Sequence, residues 1–272
     1  MVGAGGHGGP PRPSRRAFLA AAALGLSAVV AGCAPAPLGR RTGKPERPES
    51  LLSRPSEPTQ PFPGAGTHPL QVTADRDALL HIPPLLEAGR AAPLVITLHG
   101  AGGDSEAGLG LLRAQADERG ILLLAAASRE STWDAVGRGR YGTDVQLLDE
   151  ALKRTFDVVG VDEERIAVAG FSDGASYALG LGLANGGLLR RIAAFSPGFI
   201  PPGGRDGSPS VFLTHGTADE VLPIDRTSRR IVSSLRDEGL DVDYREFPGG
   251  HWVPPELAEA AVDWLDRDGS AG

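Results

Sequence analysis

Cysteine is almost absent from this sequence of 272 residues, in which Cys33 is the only one. A chain with one thiol forms no internal disulfide, so its apolar core must stabilise the fold. The sequence also lacks an H-E-x-x-H motif and any spacing of cysteine and histidine that is typical of a zinc site. We therefore expect neither a metal nor a cofactor.

Basic residues are in the minority. The chain has 27 Lys and Arg against 34 Asp and Glu, a formal net charge of −7. Three arginines (Arg12, Arg15 and Arg16) and no acidic residue lie within residues 1–32. Without that segment, 24 basic and 34 acidic residues remain and the net charge becomes −10. A body this acidic argues against nucleic acid as a partner.

A long hydrophobic run is missing near the N-terminus, where export signals and membrane anchors are found. The apolar stretch over residues 17–31 is too short to span a bilayer comfortably. Arg15 and Arg16 precede it, and small residues follow it up to Cys33. This order is typical of an export signal and not of a buried helix. We predict a signal peptide over residues 1–32.

Two short motifs refine this prediction by resemblance. The stretch "SRRAFL" resembles the twin-arginine export signal of bacteria, which carries folded proteins. The stretch "VAGC" resembles the lipobox of bacterial lipoproteins, in which the cysteine is acylated and becomes the new N-terminus. The resemblance implies lipid attachment at Cys33. It places the protein in the bacterial cell envelope, anchored to a membrane on the periplasmic or extracellular face.

The composition changes again near Leu70. Residues 33–69 are rich in proline and show neither helical nor strand periodicity, which predicts an extended, lipidated tether. From residue 70 to 268, short runs that are apolar on both faces alternate with segments of helical period. This pattern predicts one α/β domain with a mostly parallel central sheet and helices on both faces. No insertion long enough for a cap domain separates the strands.

Ser172 lies in a motif that points to nucleophilic catalysis. Gly170 and Gly174 flank it as G-x-S-x-G, between a predicted strand and a predicted helix. Glycine at both flanks permits a tight, strained turn that presents the serine hydroxyl. An ordinary strand-to-helix turn that happens to contain a serine is the alternative.

The motifs over Leu70 to Arg267 resemble the α/β-hydrolase superfamily. Within it, the chain is most similar to small lidless esterases of the phospholipase/carboxylesterase group and the polyhydroxyalkanoate depolymerase-like group. The stretches that carry the resemblance follow in the order "HGAGGD", "STWD", "TDVQLLDEAL", "RIAVAGFSDGAS", "HGTADEVLP" and "GGHW". The resemblance implies hydrolysis of carboxylic esters through an acyl-enzyme.

The catalytic partners of Ser172 follow from the chain order of this fold, which is serine, acid, histidine. Of the six histidines, only His251 lies after the last predicted strand and before the last helix. Asp219 follows an apolar strand between the serine and the histidine, and the adjacent Glu220 remains an alternative. We expect Ser172, Asp219 and His251 to form a catalytic triad.

An oxyanion hole is expected beside the serine. The glycine-rich turn "HGAGGD" follows a predicted strand, and no Lys-Ser or Lys-Thr follows that would make it a phosphate loop. The family geometry implies that the backbone amides of Ala101 and Asp173 are the donors. Trp133 matches a tryptophan that lines the acyl pocket in relatives, although a purely structural role is as well supported.

These features predict a serine esterase that acts on small or medium acyl esters. Asp173 stands where the carboxylesterase group has Gln and the depolymerase-like group has Asn. The absence of disulfides and of a separate substrate-binding domain favours small soluble esters over a solid polymer. Two alternatives remain: the same triad acting on peptides or thioesters, and an inactive hydrolase fold that serves as a binding lipoprotein.

Overall fold

Strands and helices alternate along residues 47–266, the part of the chain that this computed structural model describes. The strands are β1 (Gly66–Pro69), β2 (Leu79–Ile82), β3 (Ala92–Leu98), β4 (Leu122–Ala126), β5 (Val161–Phe171), β6 (Arg191–Phe195), β7 (Ser210–Gly216) and β8 (Val242–Phe247). The helices are α1 (Ser105–Gly110), α2 (Arg113–Arg119), α3 (Asp134–Gly137), α4 (Thr143–Val158), α5 (Asp173–Ala184), α6 (Ser228–Asp237) and α7 (Pro255–Leu265).

The eight strands form one sheet in the order β1-β2-β4-β3-β5-β6-β7-β8. Strands β3 to β8 pair in parallel, whereas β1 and β2 are antiparallel to their neighbours. Strand β8, whose sequence alternates, lies at one edge of the sheet. The predicted α/β fold with a mostly parallel sheet is confirmed.

Helices cover both faces of the sheet because the central strands are apolar on both sides. In β3, Leu94, Ile96 and Leu98 pack into one core cluster with residues of α4, α5 and α6. Val95, which points the opposite way, belongs to a second cluster with residues of α1, α2 and α7. Both clusters are fully enclosed, which explains why the strands read as continuous apolar runs.

Helix α4 buries the stripe that its sequence period predicts. The buried positions of this stripe are Val145, Leu148, Leu152 and Phe156. Lys153, on the other face, is exposed and forms an ion pair with Asp157 one turn later. None of the helices within residues 47–266 could serve as a membrane span, because each is too short or too polar.

The predicted tether is wrong over its second half. Residues 47–69, which we call the N-terminal strap, pack against the domain, and β1 joins the sheet. The Leu51 side chain is 1% exposed and lies in the core beside α4 and α5. Residues 1–46 lie outside the described part of the chain. They include the predicted signal peptide, Cys33 and the first part of the tether.

Side chains of the domain replace the regular hydrogen bonds that the prolines of the strap prevent. Asn185 Oδ1 accepts from the Leu51 amide at 2.8 Å, and Asn185 Nδ2 donates to the Glu49 carbonyl at 2.8 Å. Asp149 Oδ1 accepts from the amides of Leu52 and Ser53 at 2.6 and 2.8 Å. The strap is therefore fixed by long-range contacts, which sequence periodicity does not show.

Asn185 follows α5 at the end remote from Ser172, so this contact holds the strap near the amino edge of the sheet. At the opposite, carboxyl edge, the described residues form no inserted domain after β6 or β7. The absence of a cap, as predicted, leaves the carboxyl edge open among residues 47–266.

The strap should contribute measurably to stability. We expect Leu51→Ala to lower the free energy of unfolding by about 3 kcal/mol, because it opens a cavity in the core. Leu52→Ala is the matched control, since the Leu52 side chain is 54% exposed and its loss should cost little. Urea unfolding followed by circular dichroism measures both. Equal effects of the two substitutions would contradict an integral strap.

Candidate active site

Ser172 occupies a strained turn between β5 and α5. Its φ of 56° and ψ of −117° place a residue other than glycine in a region that side chains rarely adopt. A Cβ on Gly170 would overlap the Gly174 carbonyl, and a Cβ on Gly174 would overlap the carbonyls of Leu98 and His99. The two glycines are therefore required by the close approach of three backbone segments.

The structure brings together the three side chains that the sequence singles out. His251 Nε2 lies 2.8 Å from Ser172 Oγ, and His251 Nδ1 lies 2.7 Å from Asp219 Oδ2. With Asp219 ionised, Nδ1 carries the proton and Nε2 accepts from the serine hydroxyl. The arrangement can activate a serine hydroxyl as a nucleophile.

Asp219 is buried, and all its oxygen contacts favour the carboxylate. Oδ1 accepts from the amides of Val221 and Leu222 at 2.9 and 2.8 Å, while Oδ2 faces His251. Burial opposes ionisation, but the Leu222 amide and His251 outweigh it and lower the pKa of Asp219. Glu220, the alternative acid, is exposed and makes no contact with the histidine.

A second histidine, which the sequence did not single out, contacts the same carboxylate. His215 is fully buried at the end of β7, with Nε2 2.8 Å from the Leu222 carbonyl and 3.1 Å from Asp219 Oδ2. Its Nδ1 lies 2.6 Å from Ser228 Oγ. Burial lowers the pKa of His215, which favours the neutral ring. The signal available in the sequence was the position of His215, four residues before Asp219.

The loop that carries His251 packs closely on the end of β7. A Cβ on Gly216 would overlap the carbonyls of Gly249 and Gly250, so this approach requires glycine. The Ala218 amide donates to the Gly249 carbonyl at 2.9 Å. These contacts hold the histidine loop beside the loop of Asp219.

The glycine-rich turn after β3 lies directly against the serine. A Cβ on Gly100 would sit 3.4 Å from Ser172 Cβ. The Ala101 amide donates to no protein acceptor within residues 47–266. Asp173 is the first residue of α5, so its amide has no partner within the helix. Both amides predicted to form the oxyanion hole are thus available near Ser172.

The His99 ring holds this turn through two hydrogen bonds. Its Nδ1 donates to the Gly100 carbonyl at 2.6 Å, and its Nε2 accepts from the Ser128 amide at 3.0 Å. Burial lowers the pKa of His99, so the ring is neutral, as these two hydrogen bonds require. The turn therefore has a fixed shape before any substrate binds.

The predicted role of Trp133 in lining an acyl pocket is wrong. The side chain is fully buried, and its Nε1 donates to the His99 carbonyl at 2.9 Å. Its ring packs 4.9 Å from both the His99 and the Tyr177 ring. Trp133 supports the turn after β3 through its hydrogen bond to the His99 carbonyl. The same bond allows the indole to be buried, because its polar N–H is paired.

The carboxylate of Asp173 is also engaged. Thr132 Oγ1 donates to Asp173 Oδ2 at 2.6 Å. This contact draws the acid toward the loop of Thr132. The Asp173 amide remains free to act independently of its side chain.

Comparison with known proteins agrees with this geometry. The model of the phospholipase/carboxylesterase family matches residues 142–267, which include Ser172, Asp219 and His251. "Probable feruloyl esterase C" of Aspergillus oryzae is 30% identical over 204 residues, which cover 68% of this chain and 72% of that protein. The chain belongs to the phospholipase/carboxylesterase family of α/β-hydrolases. As a member of this family it is a serine hydrolase with esterase relatives.

A further curated relative and two solved structures have lower sequence identity to this chain. Acyl-protein thioesterase 1 of Yarrowia lipolytica is 28% identical over 156 residues, covering 53% of this chain and 63% of that protein. The carboxylesterase of Bacillus cereus superposes with a TM-score of 0.56 at 20% identity, covering 72% and 96% of the two chains. Esterase PE8 gives 0.55 at 23% identity, covering 68% and 95%. These structures share the fold.

Proposed function

We propose that this family member hydrolyses carboxylic esters of small or medium acyl groups, with Ser172 as nucleophile, His251 as general acid and base, and Asp219 as orienting acid. The observation that carries the proposal is the continuous hydrogen-bonded chain from Ser172 through His251 to Asp219 on a strained elbow. Because these hydrogen bonds are all present, they also argue against an inactive, purely binding role.

Acylation begins when Ser172 Oγ attacks the ester carbonyl carbon and His251 Nε2 takes the hydroxyl proton. Asp219 stabilises the imidazolium through Nδ1. The carbonyl oxygen becomes an oxyanion, which accepts hydrogen bonds from the amides of Ala101 and Asp173. When the intermediate collapses, the bond to the leaving oxygen breaks and His251 returns the proton to that oxygen.

Deacylation repeats these steps with water. His251 Nε2 takes a proton from water as the water oxygen attacks the acyl carbon, and the same amides stabilise the second oxyanion. The proton then returns to Ser172 Oγ, which leaves as the hydroxyl and frees the carboxylic acid. The two steps involve the ester, one water molecule and residues of this chain.

Two relatives indicate which bonds merit comparison. The feruloyl esterase relative and the thioesterase relative carry names for oxygen esters and thioesters, respectively. Both bonds break by the same steps, and the higher identity and coverage of the feruloyl esterase favour the oxygen ester. Ethyl butyrate and S-ethyl thiobutyrate form a matched pair that separates the two. Faster turnover of the thioester would make the thioesterase the correct assignment.

Ser172→Ala should reduce turnover of p-nitrophenyl acetate and butyrate by about a thousandfold or more, because no nucleophile remains at the elbow. The same substitution should abolish labelling by a fluorophosphonate probe. Ser233→Ala, at an exposed position of α6, is the matched control and should behave as the original chain. Retention of more than a tenth of the rate in Ser172→Ala would contradict the assignment.

For location, the proposal is export through the signal of residues 1–32 and anchoring by a lipid on Cys33. The supporting observations are the "SRRAFL" and "VAGC" motifs and the position of the only cysteine. One acyl chain gives only weak membrane binding, so stable anchoring needs more than one acyl chain on this cysteine. The partners are thus a membrane, through the lipid, and a small ester substrate.

Cys33→Ala should release the protein from the membrane fraction of a bacterial host, because the attachment atom is lost. The original chain and Leu38→Ala, a control within the predicted tether, should remain in that fraction and incorporate labelled fatty acid. Fractionation with an esterase assay measures the distribution. Membrane association of Cys33→Ala would reject the anchor without affecting the esterase assignment.

A further inference from the structure

An apolar groove opens beside His251 at the carboxyl edge of the sheet. It has a volume of about 400 Å³ and lies between the α1–α2 segment and the loop that leads into α7. Its main apolar walls are Leu111, Ala114, Phe171, Trp252 and Val253. Gln115 and His251 are its polar side chains, and no acidic residue, lysine or arginine lines it. The groove therefore suits an uncharged, apolar group.

Trp252 forms a fixed wall of this groove although its side chain is 49% exposed. The Phe247 ring meets it nearly edge-on, with 5.9 Å between ring centroids and an interplanar angle of 86°. A Cβ on Gly249 would sit 3.0 Å from Trp252 Nε1, so glycine permits this close packing. An exposed tryptophan held in one orientation offers a preformed apolar surface.

The position of the groove identifies the part of the substrate that it takes. His251 borders the groove, and the Phe171 ring packs 4.8 Å from the imidazole. Gly100 and Ala101, on the oxyanion side of Ser172, do not line it. In the proposed reaction the imidazole returns its proton to the leaving oxygen, so the alcohol part of the ester lies on the histidine side.

We infer that this groove binds the alcohol part of the ester, and that the preferred substrates carry an uncharged aryl or arylalkyl alcohol. The inference rests on the proposed function, because it assigns the two sides of the scissile bond by the proton transfer from His251. Apolar contact of the leaving group with Trp252 and Phe171 would favour such esters over those of methanol or ethanol.

Two isomeric esters test which side of the bond the groove serves. Benzyl acetate carries its ring on the alcohol, whereas methyl phenylacetate carries it on the acyl group. Ala114→Phe adds a ring at an exposed position of α2 that lines the groove. We expect the ratio of kcat/KM for benzyl acetate to that for methyl phenylacetate to fall at least tenfold, measured by acid release in a pH-stat.

Ser233→Phe is the matched control, because it adds the same ring at an exposed position of α6 away from the groove. Trp252→Ala, which removes a wall, should lower the same ratio and serves if Ala114→Phe does not fold. An unchanged ratio in these variants, or a larger loss for methyl phenylacetate, would overturn the inference. If the original chain reacts with neither ester nor fluorophosphonate, the proposed function itself fails.

A separate observation concerns the buried imidazole behind the acid. The N–H at His215 Nε2 is shared between the Leu222 carbonyl and Asp219 Oδ2, at 2.8 and 3.1 Å. The Leu222 amide in turn donates to Asp219 Oδ1 at 2.8 Å. The hydroxyl of Ser228, fully buried, faces Nδ1 and can donate to it, which leaves the proton on Nε2.

From this geometry we infer that His215 is a positioning residue, which fixes Asp219 and its loop for contact with His251. Asp219 Oδ2 lies between two imidazole N–H groups, one from each histidine. His215 therefore holds the same carboxylate oxygen that the reacting imidazole contacts. Because it does not touch the substrate, its loss should act on kcat and leave KM nearly unchanged.

Two amide substitutions of His215 test whether its effect comes from the donor at Nε2 or only from the size of the side chain. The glutamine amide of His215→Gln can reach the place of Nε2 and keep the donor, whereas the shorter asparagine of His215→Asn reaches only the place of Nδ1. We expect His215→Asn to lower kcat at least tenfold, with KM within about twofold. His215→Gln should recover most of kcat. Thermal melts of each variant check that the assays use folded protein.

Equal kcat values for His215→Asn and the original chain, or equal losses in the Asn and Gln variants, would overturn the positioning role. If neither folds, Ser228→Ala provides the measurement, since it removes the donor that sets the proton on Nε2. It should lower kcat with KM unchanged, and an unaltered kcat would count against the inference.

Discussion

The close approach of backbone segments at the elbow is the constraint on which this site depends. Ser172 adopts a positive φ because the end of β5, the start of α5 and the end of β3 meet there without intervening side chains. Such a conformation costs about 1–3 kcal/mol and persists only when its surroundings impose it. Gly174 packs on the Leu98 and His99 carbonyls, and this contact imposes the strained conformation on Ser172. The same contact brings the turn after β3 beside the serine.

The parallel sheet then brings the other parts of the site to one edge. Because β3, β5 and β7 run in parallel, the turns that carry Ala101, Ser172 and Asp219 all emerge at the same edge. His251 follows β8 and joins them there. Buried side chains fix each turn: Trp133 and His99 beneath the first, and His215 beneath the acid. The reacting groups are thus held by a rigid base, while the substrate side remains open.

Much of this arrangement could be predicted because it depends on local patterns. The apolar runs predicted the parallel strands, the stripe of α4 predicted its buried face, and the glycines around Ser172 predicted the elbow. The errors concern residues whose surroundings come from elsewhere in the chain. Prolines in residues 47–69 indicated a tether, yet the Leu51 side chain is buried against α4 and α5. Its own amide donates to Asn185, and the amide of Leu52 donates to Asp149.

Residue type and spacing were enough to infer the fold class and the elbow, and the chain order of the hydrolase fold that the motifs resemble pointed to the acid and the histidine. The choice of Asp219 over Glu220, the burial of Trp133 and the contact of His215 with the acid became evident only in the folded chain. Those outcomes depend on which way a side chain faces after a turn and on what a distant segment packs against it. Spacing can draw attention to such residues, as the four-residue interval between His215 and Asp219 does, but it does not specify these orientations and contacts.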